Sequence, residues 1–198
     1  IKTDPNPMEQ LPAADKRIEV LYKDDDIAII HKPHELLSVP GKSVHLSVFT
    51  QASALFPDAT GPLMVHRLDM STSGVMVIAL NINSYRNLQK QFLRKTIKKR
   101  YIALLERDIS NEVALEGKID LPLRVDLDDR PRQMVCYEHG RNALTSYHIE
   151  NNSNNQTRIT FFPHTGRTHQ LRVHAAHSSG LNAPILGDDL YGSVAGRL

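Results

Sequence analysis

The chain has 198 residues, a formal net charge of +2, 40% apolar and 23% charged residues, and one cysteine. A chain of this length can bury one substantial core, so we expect one folded domain over residues 18–198 after a disordered or extended lead-in over residues 1–17. No apolar run is long enough to span a bilayer and no signal-peptide pattern is present, which argues against a membrane role and favours the cytoplasm. The single Cys136 excludes an internal disulfide and a multi-cysteine zinc cluster.

Three strands and two helices are predicted in the first half of the chain. Residues 18–22 and 27–31 are short β-prone runs around an acidic turn, which predicts a hairpin. Apolar residues from Leu46 to Leu55 have helical spacing, and the apolar run at residues 75–80 predicts a strand buried on both faces. A second helix, with a basic polar side, is predicted from Ser84 onward.

The second half is predicted to contain more strands than helices. The predicted elements are a strand at 101–105, an irregular stretch between Pro122 and Pro131, a strand pair at 144–149 and 157–162 around a polar loop at 151–156, and a helix at 168–177. Strands that mostly adjoin one another favour an α+β fold with a mixed, mainly antiparallel sheet and flanking helices.

Positive charge is concentrated in two segments. Eight lysines and arginines between residues 86 and 107 are accompanied by one acid, Glu106, and residues 158–177 contain three arginines and four histidines with no acid. Two such segments in a nearly neutral protein suit a polyanion such as nucleic acid. Most charge runs are only solvated surface, so this pattern alone does not decide the function.

The most informative stretch is residues 66–74, His-Arg-Leu-Asp-Met-Ser-Thr-Ser-Gly, directly before the predicted buried strand. An acid in a polar turn at the mouth of a sheet is placed to be held rigidly while facing a cleft, with donors such as Arg67 and Thr72 beside Asp69. The alternative is a turn in which Asp69 only caps local backbone N–H groups.

Four motifs in order resemble those of the RluA-type pseudouridine synthases. They are Lys32-Pro33 with residues 37–41, residues 66–74, residues 99–103 and residues 166–174, and residues 184–191 close the match. The resemblance covers the chain from about residue 18 to its end. It implies the pseudouridine synthase fold and an RNA pseudouridine synthase, an isomerase that needs no cofactor because the reaction involves no oxidation and no group gained or lost.

The resemblance also implies roles for individual residues. Asp69 is expected to be the catalytic carboxylate, Tyr101 to stack on the extruded uracil, and Arg172 to keep Asp69 charged. Arg67 is expected to fill the gap left when uridine is flipped out, with a structural ion pair as the alternative. The expected substrate-binding residues are His66, Arg67, Thr72, Lys99, Arg167 and His169.

Many members of this family begin with an S4 RNA-binding domain, for which the chain has no room before residue 18. Residues 121–123 and 130–138 look most like the short dual-specificity type, whose targets are uridines in the tRNA anticodon loop and in a hairpin of 23S rRNA. We therefore expect structured RNA as the partner, no metal, no membrane and a monomer.

Three departures from the family pattern are visible. Glu35 stands where the early loop commonly has glycine, which questions the geometry of that turn. The segment 177–183 is longer than usual. The chain ends at Leu198, before a further strand of the family, so either the chain is truncated or a C-terminal strand is missing from its sheet.

Two rival hypotheses remain open at this level. His164, His169, His174 and His177 could form a metal site, but their spacing of five, five and three does not match a helical zinc motif. The other rival is a non-catalytic RNA-binding protein or RNA chaperone with the same fold.

Overall fold

The structure, a computed structural model, describes residues 16–193. It divides into two compact units that meet between Thr96 and Ile97 in the sequence. The expected lead-in at 1–17 falls almost entirely outside the described residues, as does the chain end where a strand was expected to be missing. The expectation of one catalytic domain over residues 18–198 stays a prediction. Among residues 16–193, no helix is both long and apolar enough to cross a membrane.

The first unit contains a three-stranded antiparallel sheet. Its strands are β1 (Glu19–Lys23), β2 (Ile27–Lys32) and β3 (Gly74–Ala79), in the order β1-β2-β3. The predicted hairpin is confirmed, and Asp24 closes its turn by accepting the N–H groups of Asp26 and Ile27, both at 2.8 Å. The prediction that the third strand is buried on both faces is wrong at its start, where Val75 is 61% exposed. Met76 and Ile78 are fully buried on one face, whereas the other face passes from the exposed Val75 through the half-buried Val77 to the buried Ala79.

Two helices flank this sheet, as predicted. Helix α1 (Val48–Leu55) begins with a capping box between Ser47 and Thr50, and α2 (Ile82–Leu93) begins at the cap residue Asn81, which accepts the N–H of Ser84. Side-chain oxygens at these positions pair N–H groups that the first helical turn cannot satisfy itself. The exposed face of α2 is basic, because Arg86 and Lys90 point to solvent.

The second unit contains two antiparallel sheets. Its strands are β4 (Tyr101–Leu105), β5 (Glu116–Asp120), β6 (Leu123–Val125), β7 (Gln133–Val135), β8 (Leu144–Ser153) and β9 (Gln156–Pro163). One sheet has the order β4-β9-β8-β5, and β6 pairs with β7. Every pairing between these strands is antiparallel, so the predicted α+β class with mainly antiparallel sheet is confirmed.

Two predictions for this unit need correction. The polar loop expected at 151–156 is a tight turn of two residues, because β8 continues to Ser153 and β9 starts at Gln156. Asn154 and Asn155 have φ values of 52° and 60°, and asparagine is one of the few residues that adopt this left-handed conformation readily. The stretch between Pro122 and Pro131 is not wholly irregular, since it begins with β6.

Helix α3 (Gln170–Ala176) begins two residues later than Thr168, where it was predicted. The residue before it, His169, has a φ of 52°, which is outside the helical range and ends the loop that leads into the helix. The helix lies against a core cluster that includes Leu105, Ile159 and Phe161, all fully buried.

Candidate active site

Asp69 lies in the loop of the first unit that directly precedes β3. The N–H of Thr72 donates to the carbonyl of Asp69 at 3.1 Å, which closes a turn over residues 69–72. The Asp69 side chain is half-buried and Arg67 is exposed. The loop thus presents a carboxylate and a guanidinium close together in sequence, on backbone that is fixed at several points.

Ser38 holds the residue before Asp69. Its hydroxyl accepts the N–H of Leu68 at 3.0 Å and donates to the carbonyl of Leu68 at 2.6 Å. Leu68 is 9% exposed, so these two backbone groups have little access to water and depend on Ser38.

Lys32 holds the residue after Asp69. This lysine is fully buried, and its Nζ donates to the carbonyls of Leu36 at 2.7 Å, Pro33 at 2.8 Å and Met70 at 3.0 Å. Burial lowers the pKa of Lys32 to about 8, and the negative charge of Asp69 opposes that shift. The early motif, Lys32-Pro33 with residues 37–41, therefore supports the turn that contains Asp69.

This role of Lys32 was missed in the sequence, although a signal for it exists. Alternate residues of β2 are buried, and Ala28, Ile30 and Lys32 share the buried face. A lysine that continues the buried positions of a strand must find acceptors inside the protein, because an unpaired buried ammonium is very costly.

His66 makes two contacts that anchor the same loop. Its Nε2 accepts the N–H of Val77 at 3.1 Å, and its ring stacks on Phe92 with centroids 4.8 Å apart. These contacts tie the loop to β3 and α2. The expected roles of His66, Arg67 and Thr72 toward RNA stay predictions.

Glu35 adopts the conformation that explains why glycine is common at its position. Its φ is 56°, in the left-handed region, and its carboxylate lies 3.6 Å from the ammonium of Lys16. The turn therefore has the left-handed geometry that glycine adopts without strain, although glutamate stands there.

In the second unit, a buried polar network fixes α3 on the sheet. The amide nitrogen of Gln170 donates to the hydroxyl of Thr145 at 2.9 Å, and that hydroxyl lies 3.0 Å from Nδ1 of His174. His174 Nε2 lies 3.2 Å from the carbonyl of Leu121, which can only accept, so Nε2 carries the proton and Nδ1 accepts from Thr145. Burial lowers the pKa of His174, partly opposed by its bond to Leu121, which agrees with a neutral ring.

Arg172 projects from this helix and is held by two acids. Its Nε donates to Oδ2 of Asp188 at 2.7 Å and its Nη2 to Oδ1 at 2.6 Å, and Nη2 also contacts Oδ1 of Asp189 at 2.6 Å. Burial would raise the pKa of Asp188, but the bonds from Arg172 and from the N–H of Tyr191 outweigh it and the pKa is lowered. Sequence reasoning missed Asp188, although its motif was recognised.

His169 is anchored by Tyr191. Its Nδ1 lies 2.8 Å from the Tyr191 hydroxyl, which also accepts the N–H of Gln133 at 2.6 Å. The rings of His169 and Tyr191 meet edge to face with centroids 5.7 Å apart. The contact holds a histidine whose backbone is in the left-handed conformation.

The other expected residues of this unit surround the same loop. Lys99 donates to the carbonyl of Thr165 at 2.9 Å, and Arg167 donates through Nε to the carbonyl of Asn142 at 2.9 Å. Tyr101 is the first residue of β4 and packs partly against the core cluster. The second unit thus brings Lys99, Arg167, His169 and Arg172 to the loop and helix at 165–172, whereas Asp69 belongs to the first unit.

The four histidines of the metal hypothesis make different contacts. His164 lies 2.7 Å from the hydroxyl of Ser146, and His169 contacts Tyr191. His174 is enclosed between Thr145 and Leu121, and Nδ1 of His177 accepts the N–H of Ser179 at 3.0 Å. Within the described part of the chain, no group of three or more histidine, cysteine or acidic side chains could hold a metal ion.

Known proteins resemble the chain over most of its length. The sequence model of the family described as RNA pseudouridylate synthase matches residues 26–177. A Haemophilus ducreyi protein named dual-specificity RNA pseudouridine synthase RluA is 42% identical over 187 residues, which cover 93% of this chain and 82% of that protein. The Escherichia coli K12 protein of the same name is 43% identical over 189 residues, which cover 94% of this chain and 82% of that protein. The Yersinia pestis protein of the same name is 45% identical over 175 residues, covering 87% and 81%.

Solved structures agree with the sequence comparison. Human RNA pseudouridylate synthase domain containing 1 superposes with a TM-score of 0.77 at 26% identity, covering 95% of this chain and 75% of that one. Human RNA pseudouridylate synthase domain containing 4 gives a TM-score of 0.69 at 26% identity, covering 88% and 69%.

Proposed function

Because the chain belongs to the RNA pseudouridylate synthase family, we propose that it isomerises uridines in two RNAs, the anticodon loop of tRNA and a hairpin of 23S rRNA. The chain is an RNA pseudouridine synthase and therefore an isomerase. Support for the double substrate comes from relatives of similar length that are named dual-specificity enzymes.

We infer that Asp69 is the catalytic carboxylate. The reaction breaks the bond between uracil N1 and the ribose, turns the base, and joins its C5 to the same ribose carbon, while C5 loses a proton and N1 gains one. Such a carboxylate must be held in one orientation, as nucleophile or as base. The observation that supports this role is the pair of clamps on either side of Asp69, at Leu68 through Ser38 and at Met70 through Lys32.

Tyr101 and Arg172 complete the proposed set of catalytic residues. Tyr101 provides an aromatic face on which the flipped uracil stacks, and Arg172 provides a positive charge that favours the charged form of Asp69. Arg67 takes the place of the flipped base, and His66, Thr72, Lys99, Arg167 and His169 bind the RNA. We place the enzyme in the cytoplasm as a monomer that works without a metal ion or cofactor.

The experiment compares wild type with Asp69→Asn on a tRNA transcript, in buffer with and without a chelator. We expect wild type to convert uridine without a change in RNA mass, with or without chelator. Asp69→Asn should bind RNA with nearly the same affinity, because most affinity comes from phosphate contacts, but should form no pseudouridine. Equal loss of binding would favour the RNA-binding protein, and loss of activity with chelator that one metal restores would contradict the metal-free proposal.

A further inference from the structure

The side chain of Asp188 is fixed by its own turn, independently of Arg172. Its Oδ1 accepts the N–H groups of Leu190 at 2.9 Å and Tyr191 at 2.8 Å. Its backbone N–H donates to Ile185 at 3.1 Å, and its carbonyl accepts from Gly192 at 3.0 Å. The carboxylate is thus a rigid acceptor whose position does not depend on the group that it binds.

Arg172 meets this carboxylate through two parallel bonds, at 2.7 Å and 2.6 Å. A planar guanidinium held at two points cannot rotate about the axis of one bond, which a single contact would permit. The Arg172 and Asp188 side chains are only 11% and 3% exposed. Pairs this buried add little net stability compared with apolar side chains, so orientation is the better explanation of the pair.

Two further neighbours each make a single contact with the same guanidinium. Asp189 reaches Nη2 with one oxygen, but its side chain is 60% exposed. The ring of Tyr191 lies over the guanidinium, with Cζ 5.3 Å from the ring centroid. Neither of these contacts fixes two nitrogens at once, whereas Asp188 does, so Asp188 constrains the plane of the guanidinium.

We propose that Asp188 is a positioning residue for uridine isomerisation, which orients the guanidinium of Arg172 for the reaction. The inference rests on the proposed catalytic role of Arg172. Asp188 does not act on the uridine itself, and its effect on the rate passes through Arg172.

The test is Asp188→Asn, with Asp189→Asn as the matched control. Asparagine keeps an oxygen for the N–H groups of Leu190 and Tyr191, so the turn is retained, but it loses the charge and places a donor opposite Arg172. Single-turnover rates are measured on a tRNA transcript at saturating enzyme, together with RNA affinity and melting temperature. We expect Asp188→Asn to lower the rate about 10- to 100-fold with nearly unchanged affinity, and Asp189→Asn to change the rate little.

A double-mutant cycle separates positioning from general damage. Asp188→Asn should cause no further loss of rate in an Arg172→Lys background, because the residue it orients is already altered. Losses that multiply independently would overturn the proposal, as would a normal rate for folded Asp188→Asn or equal losses in both asparagine variants. If Asp188→Asn does not fold, Asp188→Glu keeps the charge but moves the carboxylate, and a wild-type rate there would also overturn it.

The Arg172→Lys variant alone tests the premise. A normal rate in that variant would remove Arg172 from the proposed catalytic set, whatever Asp188 does. A low rate in Arg172→Lys with a normal rate in Asp188→Asn would leave the proposed function intact and remove only the role of Asp188.

Discussion

The hydroxyl of Ser38 satisfies both backbone groups of Leu68, since it accepts the N–H and donates to the carbonyl of that residue. On the other side of Asp69, the ammonium of Lys32 donates to the carbonyl of Met70. Both supports come from the early motif, 30 and 38 positions before the residues that they hold. The two motifs therefore form one structural unit around the proposed catalytic carboxylate.

Ser38→Ala should weaken both stability and turnover. The change leaves two backbone groups of the buried Leu68 without their partner, which costs about 1–3 kcal/mol of unfolding free energy for such groups. We expect the single-turnover rate to fall more than RNA affinity, because the backbone beside Asp69 loses its anchor. Ser38→Thr keeps the hydroxyl and is the control. A rate for Ser38→Ala equal to that of wild type, in a folded protein, would show that Leu68 does not need this clamp.

Lys32→Met should change how stability depends on pH. The pKa of Lys32 is lowered from 10.5 to about 8 by burial, so between these values the unfolded chain binds a proton that the folded chain has lost. Stability of the wild type therefore rises with pH across that window, and the variant lacks this contribution. At pH 7 the variant should already be less stable, because three carbonyls lose their donor, among them that of the buried Leu36.

The measurement is denaturant unfolding of wild type, Lys32→Met and the exposed control Lys118→Met between pH 7 and 10.5. The stability difference between wild type and Lys32→Met should grow as the pH rises, and the control should follow wild type. A difference that stays constant would mean that Lys32 has an ordinary pKa in the folded protein.

The sequence predicts elements well where a local pattern decides them. The β1–β2 hairpin follows from two β-prone runs around an acidic turn, and the helix with a basic face follows from helical spacing. The turn at Asn154 and Asn155 was missed because a run of polar residues reads as a loop, although both strands extend through it. Only the pairing of β8 with β9 reveals that the polar residues continue a ladder.

Side chains that act over long sequence distances were harder to predict. Family resemblance points to Asp69 and Arg172, but it does not say what orients them. Lys32 reaches Met70 across 38 positions and Asp188 lies 16 positions after Arg172. Such contacts depend on how loops return to the sheet, which spacing along the chain does not reveal.

Replacement of Lys95 and Lys98 by glutamine should weaken RNA binding and flatten its salt dependence. Both side chains are exposed, whereas Lys99 of the same segment already donates to the carbonyl of Thr165 and is left unchanged. Each lost phosphate contact should reduce the slope of log K against log salt by about 0.7 to 0.9. The loss should be similar for different RNAs, because phosphate contacts carry no sequence information directly.

The control for this prediction replaces the exposed Lys23 and Lys118, which removes the same charge elsewhere. Affinity is measured at several salt concentrations for both double variants. Equal slopes in the two double variants would show that Lys95 and Lys98 are solvated surface residues that make no particular contact with RNA phosphates.

Arg172→Met should destabilise the fold as well as stop the reaction, because it leaves Asp188 buried without its cation. Removing one partner of a buried ion pair costs about 3–5 kcal/mol of unfolding free energy. In wild type the pKa of Asp188 is lowered, so its contribution to stability is present above the ordinary carboxyl pKa and is lost as the pH falls through the lowered value. In Arg172→Met, burial is opposed by the N–H groups of Leu190 and Tyr191 without the guanidinium, so the pKa of Asp188 should lie above its wild-type value.

The two proteins should therefore respond differently to acid. As the pH falls from 7 towards 4, Arg172→Met should regain stability relative to wild type, because its buried carboxyl becomes neutral. The double variant Arg172→Met with Asp188→Asn removes the buried charge altogether, so it should be more stable at pH 7 than Arg172→Met alone and should lose the acid dependence. Denaturant unfolding of the three proteins between pH 7 and pH 4 measures the effect. Activity assays on Arg172→Met should be interpreted only at temperatures where that variant is folded. If the second substitution restores no stability at pH 7, the unpaired carboxylate is not what destabilises Arg172→Met, and the loss comes from other contacts of the guanidinium, such as its packing against Tyr191.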